Sequence, residues 1–246
     1  MNRALAITAV FSAAIPAHAQ VKGAADLPNP VVMVIVLAAL ALAPFVLMML
    51  TSFIKISVVL SILRNAIGTQ QVPPSTVITG LAFILSIFIM APVGRQMYEA
   101  AGAIPNTRDI FSEASVKGLF SAVQTGKEPL RKFLARHGHP QDRLLFMELS
   151  ARLERNSGTP KPEIGKDDFQ VLIPSFATSQ LKEAFQVGFL VFVPFLIIDM
   201  VVANILLSMG MNMLSPVVIS LPFKLLLFVL VDGWYLVVRG LVLSYA

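Results

Sequence analysis

Phe185 to Val238 reads FQVGFLVFVPFLIIDMVVANILLSMGMNMLSPVVISLPFKLLLFVLVDGWYLVV, and the interpretation of this stretch decides the fold. Two apolar runs flank a short centre, Met209-Gly210-Met211-Asn212-Met213. Each run is about 20 residues, the length a helix needs to cross the hydrocarbon of a bilayer. Yet Asp199, Lys224 and Asp232 lie inside the apolar sequence. A charge at the centre of a membrane helix costs about 2.5–3.5 kcal/mol on insertion scales. Charges at that cost belong to a protein that gives them partners or water, not to a plain lipid anchor. Pro194 and Pro222 sharpen the point. Each removes a helical donor, freeing the carbonyls of Leu190 and Val218, and in lipid such groups need a protein partner. The stretch is therefore expected to be a helical hairpin packed inside an assembly.

The whole chain shares this character. It is 56% hydrophobic and 13% charged, with a mean hydropathy of +0.78, which is membrane-protein composition. The formal charge of +5 does not point to nucleic acid. The basic residues are interleaved with acidic ones between Arg95 and Glu183, and no basic-aromatic stripe occurs. Cysteine is absent, which excludes disulfides and thiolate metal sites and suits an oxidising compartment.

Taken in order, residues 1–19 have the form of a cleavable signal peptide. Arg3 is the n-region, Ala4 to Ile15 a short apolar core, and Ala17-His18-Ala19 an A-x-A site. Residues 20–30 form a polar linker. Val31 to Leu50 is long enough to span, and the pattern then turns amphipathic. Thr51, Ser52, Lys55, Ser57, Ser61 and Arg64 interrupt an aliphatic sequence, so this part faces protein or water. Gly68 ends it, Gln70-Gln71-Val72-Pro73-Pro74 turns the chain, and a further helix runs to about Met97 with Pro92 near its end. Residues 31–97 thus form a first apolar helical hairpin. Residues 98–181 are polar. Helical spacing at Val116, Leu119, Phe120 and Val123, at Leu130, Phe133 and Leu134, and at Leu145, Leu149 and Leu153 predicts three or four short helices. A mobile loop is expected over 156–166. Residues 182–246 form the second apolar hairpin. The fold class is an all-α membrane protein, two long apolar helical hairpins separated by a small soluble helical insertion. The signal peptide puts the insertion and the C-terminus on the periplasmic side of a bacterial inner membrane. The positive-inside rule opposes this, but it weakens for loops longer than about 60 residues.

Folding the second hairpin about position 211 places Asp199, twelve residues before it, level with Lys224, thirteen after it. An Asp199–Lys224 ion pair is expected, within one subunit or across to a neighbour. It would fix register more than add net stability. Lys55 and Asp232 are the other charges in apolar sequence. Met209, Met211 and Met213 surround Gly210 at the turn. Methionine is flexible and fills irregular gaps, so these are either ordinary packing at a tight loop or a deformable seal in a ring of copies. An aspartyl protease would need Asp199 and Asp232 about 3 Å apart and sharing a proton, whereas the hairpin puts them at different levels. His137 and His139 stand in a Gly/Pro loop without a third ligand. Neither a phosphate-binding loop nor a nucleophile elbow occurs. No cofactor, metal or catalytic residue is expected, and the chain reads as non-enzymatic.

Several long motifs resemble the FliP/SctR family, the export-gate subunits of type III secretion systems. They are Thr51-Ser52-Phe53-Ile54-Lys55-Ile56-Ser57-Val58-Val59-Leu60, Leu63-Arg64-Asn65-Ala66-Ile67-Gly68-Thr69-Gln70-Gln71-Val72-Pro73-Pro74, and Met90-Ala91-Pro92-Val93. Val193-Pro194-Phe195-Leu196-Ile197-Ile198-Asp199, Leu221-Pro222-Phe223-Lys224 and Val231-Asp232-Gly233-Trp234 complete the set. The resemblance runs from about Val31 to Tyr245. Lys55, Ser215-Pro216-Val217-Val218-Ile219-Ser220 and the ending Leu241-Val242-Leu243-Ser244-Tyr245 look more like the virulence injectisome subunit than the flagellar one, whereas a cleavable signal peptide is more usual in the flagellar branch. The resemblance implies a ring of five copies with two smaller export-gate membrane proteins, standing largely above the bilayer plane, with unfolded proteins as cargo. It also implies a methionine gasket that closes the channel at rest, mapping to Met209, Met211 and Met213, with Asn212 departing from an all-methionine loop. The competing reading is a small-solute or ion transporter using Asp199 and Asp232 as a proton relay. A scaffold without a pore is a third.

Overall fold

A computed structural model describes residues 30–69, 72–101, 113–157, 165–211 and 213–246. The signal peptide, the linker up to residue 29, Asn212 and most of the loop expected at 156–166 lie outside the described residues. Every regular element among the described residues is a helix: α1 Pro30–Leu50, α2 Phe53–Ile67, α3 Ser75–Ala101, α4 Glu113–His137, α5 Pro140–Ser157, α6 Phe169–Ser208, α7 Pro216–Leu230 and α8 Gly233–Leu243. Two of them, α3 and α6, are long and apolar enough to cross a membrane, and the bent pair α7–α8 makes a third span if taken as one. The chain is thus an all-α membrane protein.

The amphipathic helix α2 is the centre of the molecule. Ile56, Val59, Leu60, Leu63 and Ala66 are buried, packed with Ile78 and Ala82 of α3, Ala184 and Phe195 of α6, Phe228 of α7 and Leu241 of α8. Burying such a large aliphatic or aromatic side chain contributes about 1.5–3 kcal/mol. The serines of α2 do not spoil this interior. Ser57 Oγ donates to Ile54 O at 3.0 Å and Ser61 Oγ to Ser57 O at 2.7 Å, so each hydroxyl is satisfied within its own helix. At Gly188 α6 comes close to α2. A Cβ there would stand 2.4 Å from Ile62 Cδ1, so only glycine admits this approach.

Three features differ from the sequence reading. The segment 31–67 is broken at Thr51–Ser52 instead of changing face within one helix. Ser52 is fully buried and donates to Ser86 Oγ at 3.3 Å, which donates to Thr51 Oγ1 at 3.2 Å, so hydroxyls of the break bond α3. Among the described residues the insertion has two helices of its own, α4 and α5, of 25 and 18 residues, closed against the first turns of α6. No break separates it from the second hairpin, because the 40-residue α6 runs through both. Finally, Leu145, Leu149 and Leu153 face outward on α5, while its Asp142 and Ser150 are buried. Asp142 accepts a 2.6 Å hydrogen bond from Ser179 of α6, so a polar contact turns the helix that way.

Candidate functional site

Three features of the second hairpin carry its chemistry. The first is an ion pair. Lys224 on α7 has a side chain only 3% exposed, and its Nζ lies 2.6 Å from Asp199 Oδ2 on α6. The other carboxylate oxygen accepts from Ser220 Oγ, one turn before Lys224 on α7. The Nζ also stands 3.5 Å from where a Cβ of Gly68 would be. Gly68 ends α2 in the left-handed conformation, φ +81°, with its N–H donating to Asn65 O. The last carbonyls of a helix carry the negative end of its dipole, so Lys224 meets negative potential from two helices at once.

The second feature is the methionine turn. α6 ends with Met211 N–H donating to Leu206 O and Gly210 N–H donating to Leu207 O, the paired bonds of a Schellman cap, with Gly210 at φ +73°. The glycine lets the chain reverse, and the methionines point away from the hairpin. Met209 is 65% exposed and Met213 fully so, and Met211 is exposed as well. Nothing lies within 4 Å of the Cβ position of Gly210. Within one chain, then, all three methionines are exposed.

The third feature is an elbow at Asp232. α7 and α8 meet at 60° across Val231–Asp232. Asp232 takes φ 50°, ψ 54°, and its N–H donates to Val229 O, so it occupies the left-handed closing position usually held by glycine. Its side chain makes no cap hydrogen bond to α8. Gly233 follows because a Cβ there would lie 2.2 Å from the Phe228 ring. Of the two predicted kink prolines, Pro194 lies within α6 and Pro222 within α7.

A second polar cluster lies at the base of the hairpin; sequence reasoning singled out its Lys55, His137 and His139 but did not bring them together. Lys55 on α2, 3% exposed, bonds Glu183 Oε2 of α6 at 2.6 Å. The other Glu183 oxygen lies 3.1 Å from His139 Nε2. The Tyr245 ring lies 4.9 Å from Lys55 Nζ, and its hydroxyl donates to Gln180 Oε1. Gln180 Nε2 donates to His137 O at 2.9 Å, and His139 N–H donates to Ser179 Oγ at 2.9 Å. The cluster therefore joins α2, the α4–α5 junction, α6 and the residues after α8. His137 is not the solvated loop residue expected. It ends α4 and packs between Phe133 and Tyr245, with ring centroids at 4.7 and 5.0 Å. Burial, then Arg136 and Lys55, lower its pKa, and Glu183 partly opposes them. Burial, with Glu183 beside it, raises that of Tyr245. The signals for this cluster were Glu183 and Gln180 on one face of α6 at helical spacing, just before the apolar run. Among the described residues no cluster of His, Cys, Asp and Glu could hold a metal ion.

The arrangement suits mechanical coupling. Its buried charges are neutralised in pairs, and its most exposed group is apolar and deformable. Comparison with known proteins gives it a family. The FliP family model matches residues 36–241. "Yop proteins translocation protein R" of Yersinia pestis is 44% identical over 220 residues, 89% of this chain and 98% of that one. "Flagellar biosynthetic protein FliP" of Bacillus subtilis is 43% identical over 222 residues, 89% of this chain and 94% of that one. "Hypersensitivity response secretion protein HrcR" of Ralstonia nicotianae is 39% identical over 213 residues, 87% and 96% of the two chains. By its matched span and by these identities, the chain belongs to the FliP family.

Proposed function

We propose that the chain is a core subunit of the protein-conducting export gate of a type III secretion system. The observation that carries this is the methionine turn. Three large apolar side chains stand exposed at the end of a hairpin whose buried lysine, Lys224, is paired. In a ring of copies, five by family resemblance, Met209, Met211 and Met213 converge on the axis and close it at rest. Methionine suits such a seal because it is flexible and reseals irregular gaps. The exposed apolar flanks of α6 and α7 become contacts with sister copies and with the two smaller gate proteins. Unfolded polypeptides are the cargo, and energy comes from elsewhere in the machine, so the chain itself needs no catalytic group. The insertion and C-terminus lie on the periplasmic side of the inner membrane. The injectisome is favoured over the flagellum on Lys55, on Ser215 to Ser220 and on the Leu241 to Tyr245 ending, since identity to the two kinds of relative is similar, 44% against 43%. The transporter reading loses support because Asp199 is already held by Lys224 and Ser220 and is poorly placed as a free relay.

Replacing Met209, Met211 and Met213 by alanine tests the reading. The assembled gate should then pass ions or a small dye at rest, while the oligomer persists on native mass spectrometry. A triple variant as tight as the unmodified complex would overturn the seal.

A further inference from the structure

The hairpin that carries the methionine turn is weakened twice at nearly one height. In α6, Pro194 leaves Leu190 O without its helical donor. In the other arm, α7 ends at the Asp232 elbow, where one residue holds the left-handed conformation and the chain turns by 60°. Packing brings the two breaks to within about one helical turn of each other. The ring of Phe195, next to Pro194, meets the ring of Phe228, just before the elbow, at a centroid distance of 6.4 Å. On one side of this level the arms are bolted together, because Lys224 and Ser220 of α7 both hold the Asp199 carboxylate of α6. On the other side α6 is fixed to the core by the Gly188–Ile62 approach and by buried Ala184. The elbow holds Asp232 in the left-handed conformation, φ 50°. Turning Asp232 from left-handed to right-handed would run α7 into α8, and a non-glycine residue held left-handed is a sign of a site where strain is kept for use.

We propose that residues 195–211 and 213–230 form a rigid flap that tilts about Pro194 and Asp232, pivots on Phe195 and Phe228 in the core, and carries the methionine turn. Its catch is Lys224, whose ammonium sits against Gly68 at the end of α2. The 15 residues of α7 make a lever of about 22 Å, so a tilt of about 20° carries the turn by about 8 Å. Two weak points within about one helical turn of each other bend an antiparallel pair with little sliding of one arm along the other, so the ion pair survives the motion. That the flap opens a seal rests on the gate reading above; that it tilts does not.

The absence of cysteine allows clean spin labelling. In the assembled complex of full-length chains, labelled copies are diluted among unlabelled ones. One pair, Val201→Cys with Val218→Cys, lies within the flap. The other, Val218→Cys with Leu236→Cys, spans the elbow, and all three native side chains are exposed. Pulsed dipolar spectroscopy should give one narrow distance for the first pair and a distribution several ångströms broader for the second. Pro194→Ala should narrow the second, and Asp232→Gly should broaden it. Asp232→Gly keeps the left-handed conformation available and carries the test alone if Pro194→Ala does not fold. A distribution across the elbow as narrow as that within the flap, and indifferent to both substitutions, would overturn the hinge. So would equal broadening within the flap. Either result leaves the leak of the methionine variant, and with it the gate reading, standing or falling by itself.

Discussion

Lys55 and Lys224 are the same chemistry placed in two different settings. Each has a side chain 3% exposed, and each reaches a carboxylate at 2.6 Å. Lys224 and its partner are 25 residues apart and join the two arms of one hairpin. Lys55 and its partner are 128 residues apart, and the bond is surrounded by Tyr245, Gln180, His137 and His139. The Lys55–Glu183 pair holds four parts of the chain together, whereas the Lys224–Asp199 pair joins the two arms of the hairpin and meets only the end of α2. Buried ion pairs often bring little net stability, because desolvation offsets attraction. What separates these two is what each one joins: the first makes a fixed core, the second a stiff appendage.

The sharpest test of that contrast is Lys55→Met. It leaves Glu183 with only His139 within ion-pair distance, and truncating one member of a buried pair costs about 3–5 kcal/mol. Thermal unfolding of the purified chain should show the loss, with release of the insertion seen as faster proteolysis of α4 and α5. Insensitivity there would mean that the base is held by packing alone.

Lys224→Met should fall at the lower end of the same range, about 3 kcal/mol, because Asp199 keeps Ser220 and is 29% exposed. The loss should appear chiefly in assembly, leaving the insertion protected from protease. Combining Asp199→Lys with Lys224→Asp should recover much of the oligomer lost in each single change. If the exchange rescues nothing, the pair does not set the hairpin's register.

Gly188→Ala probes the base without touching a charge. Its Cβ would meet Ile62 Cδ1 at 2.4 Å, and overpacking of this kind costs about 1–3 kcal/mol. Adding Ile62→Ala should return part of the loss. The same substitution at Gly240, where nothing lies within 4 Å, should be close to neutral. Equal effects at both positions would contradict the close approach.

The smallest expected effect is a pH dependence confined to the base. The folded pKa of His137 lies below its ordinary 6.5, mainly through burial. The unfolded chain therefore takes up the proton first as pH falls. The stability this group contributes is present above pH about 6.5 and drains away as pH drops toward the folded value. Melting temperatures between pH 7.5 and 5.5 should fall more for the unmodified chain than for His137→Phe, with Arg136, Lys55, Glu183 and His139 left in place. Parallel curves would remove His137 as the titrating group.

How much of this could be read from sequence follows from the distances involved. Counting residues from the methionine turn brings Asp199 and Lys224 to one level, because antiparallel helices share a common rise. The aliphatic pattern of α2, broken by polar residues, announces a helix facing protein, and it is the most buried of the helices. The Lys55–Glu183 bond was not legible, since nothing local to either residue names a partner 128 positions away. Leu145, Leu149 and Leu153 misled by regular spacing, which reports an apolar face without saying what that face meets. The Asp232 elbow was missed because aspartate can take the left-handed position without the glycine that usually marks it.

The 40 residues of α6 amount to about 60 Å of helix axis, twice the roughly 30 Å of hydrocarbon in a bilayer. No depth of immersion can hide such a rod, so about half of it always stands outside the oil. Only its apolar part, from Phe185 onward and about 36 Å long, can respond to the thickness of the bilayer, and it responds by tilting.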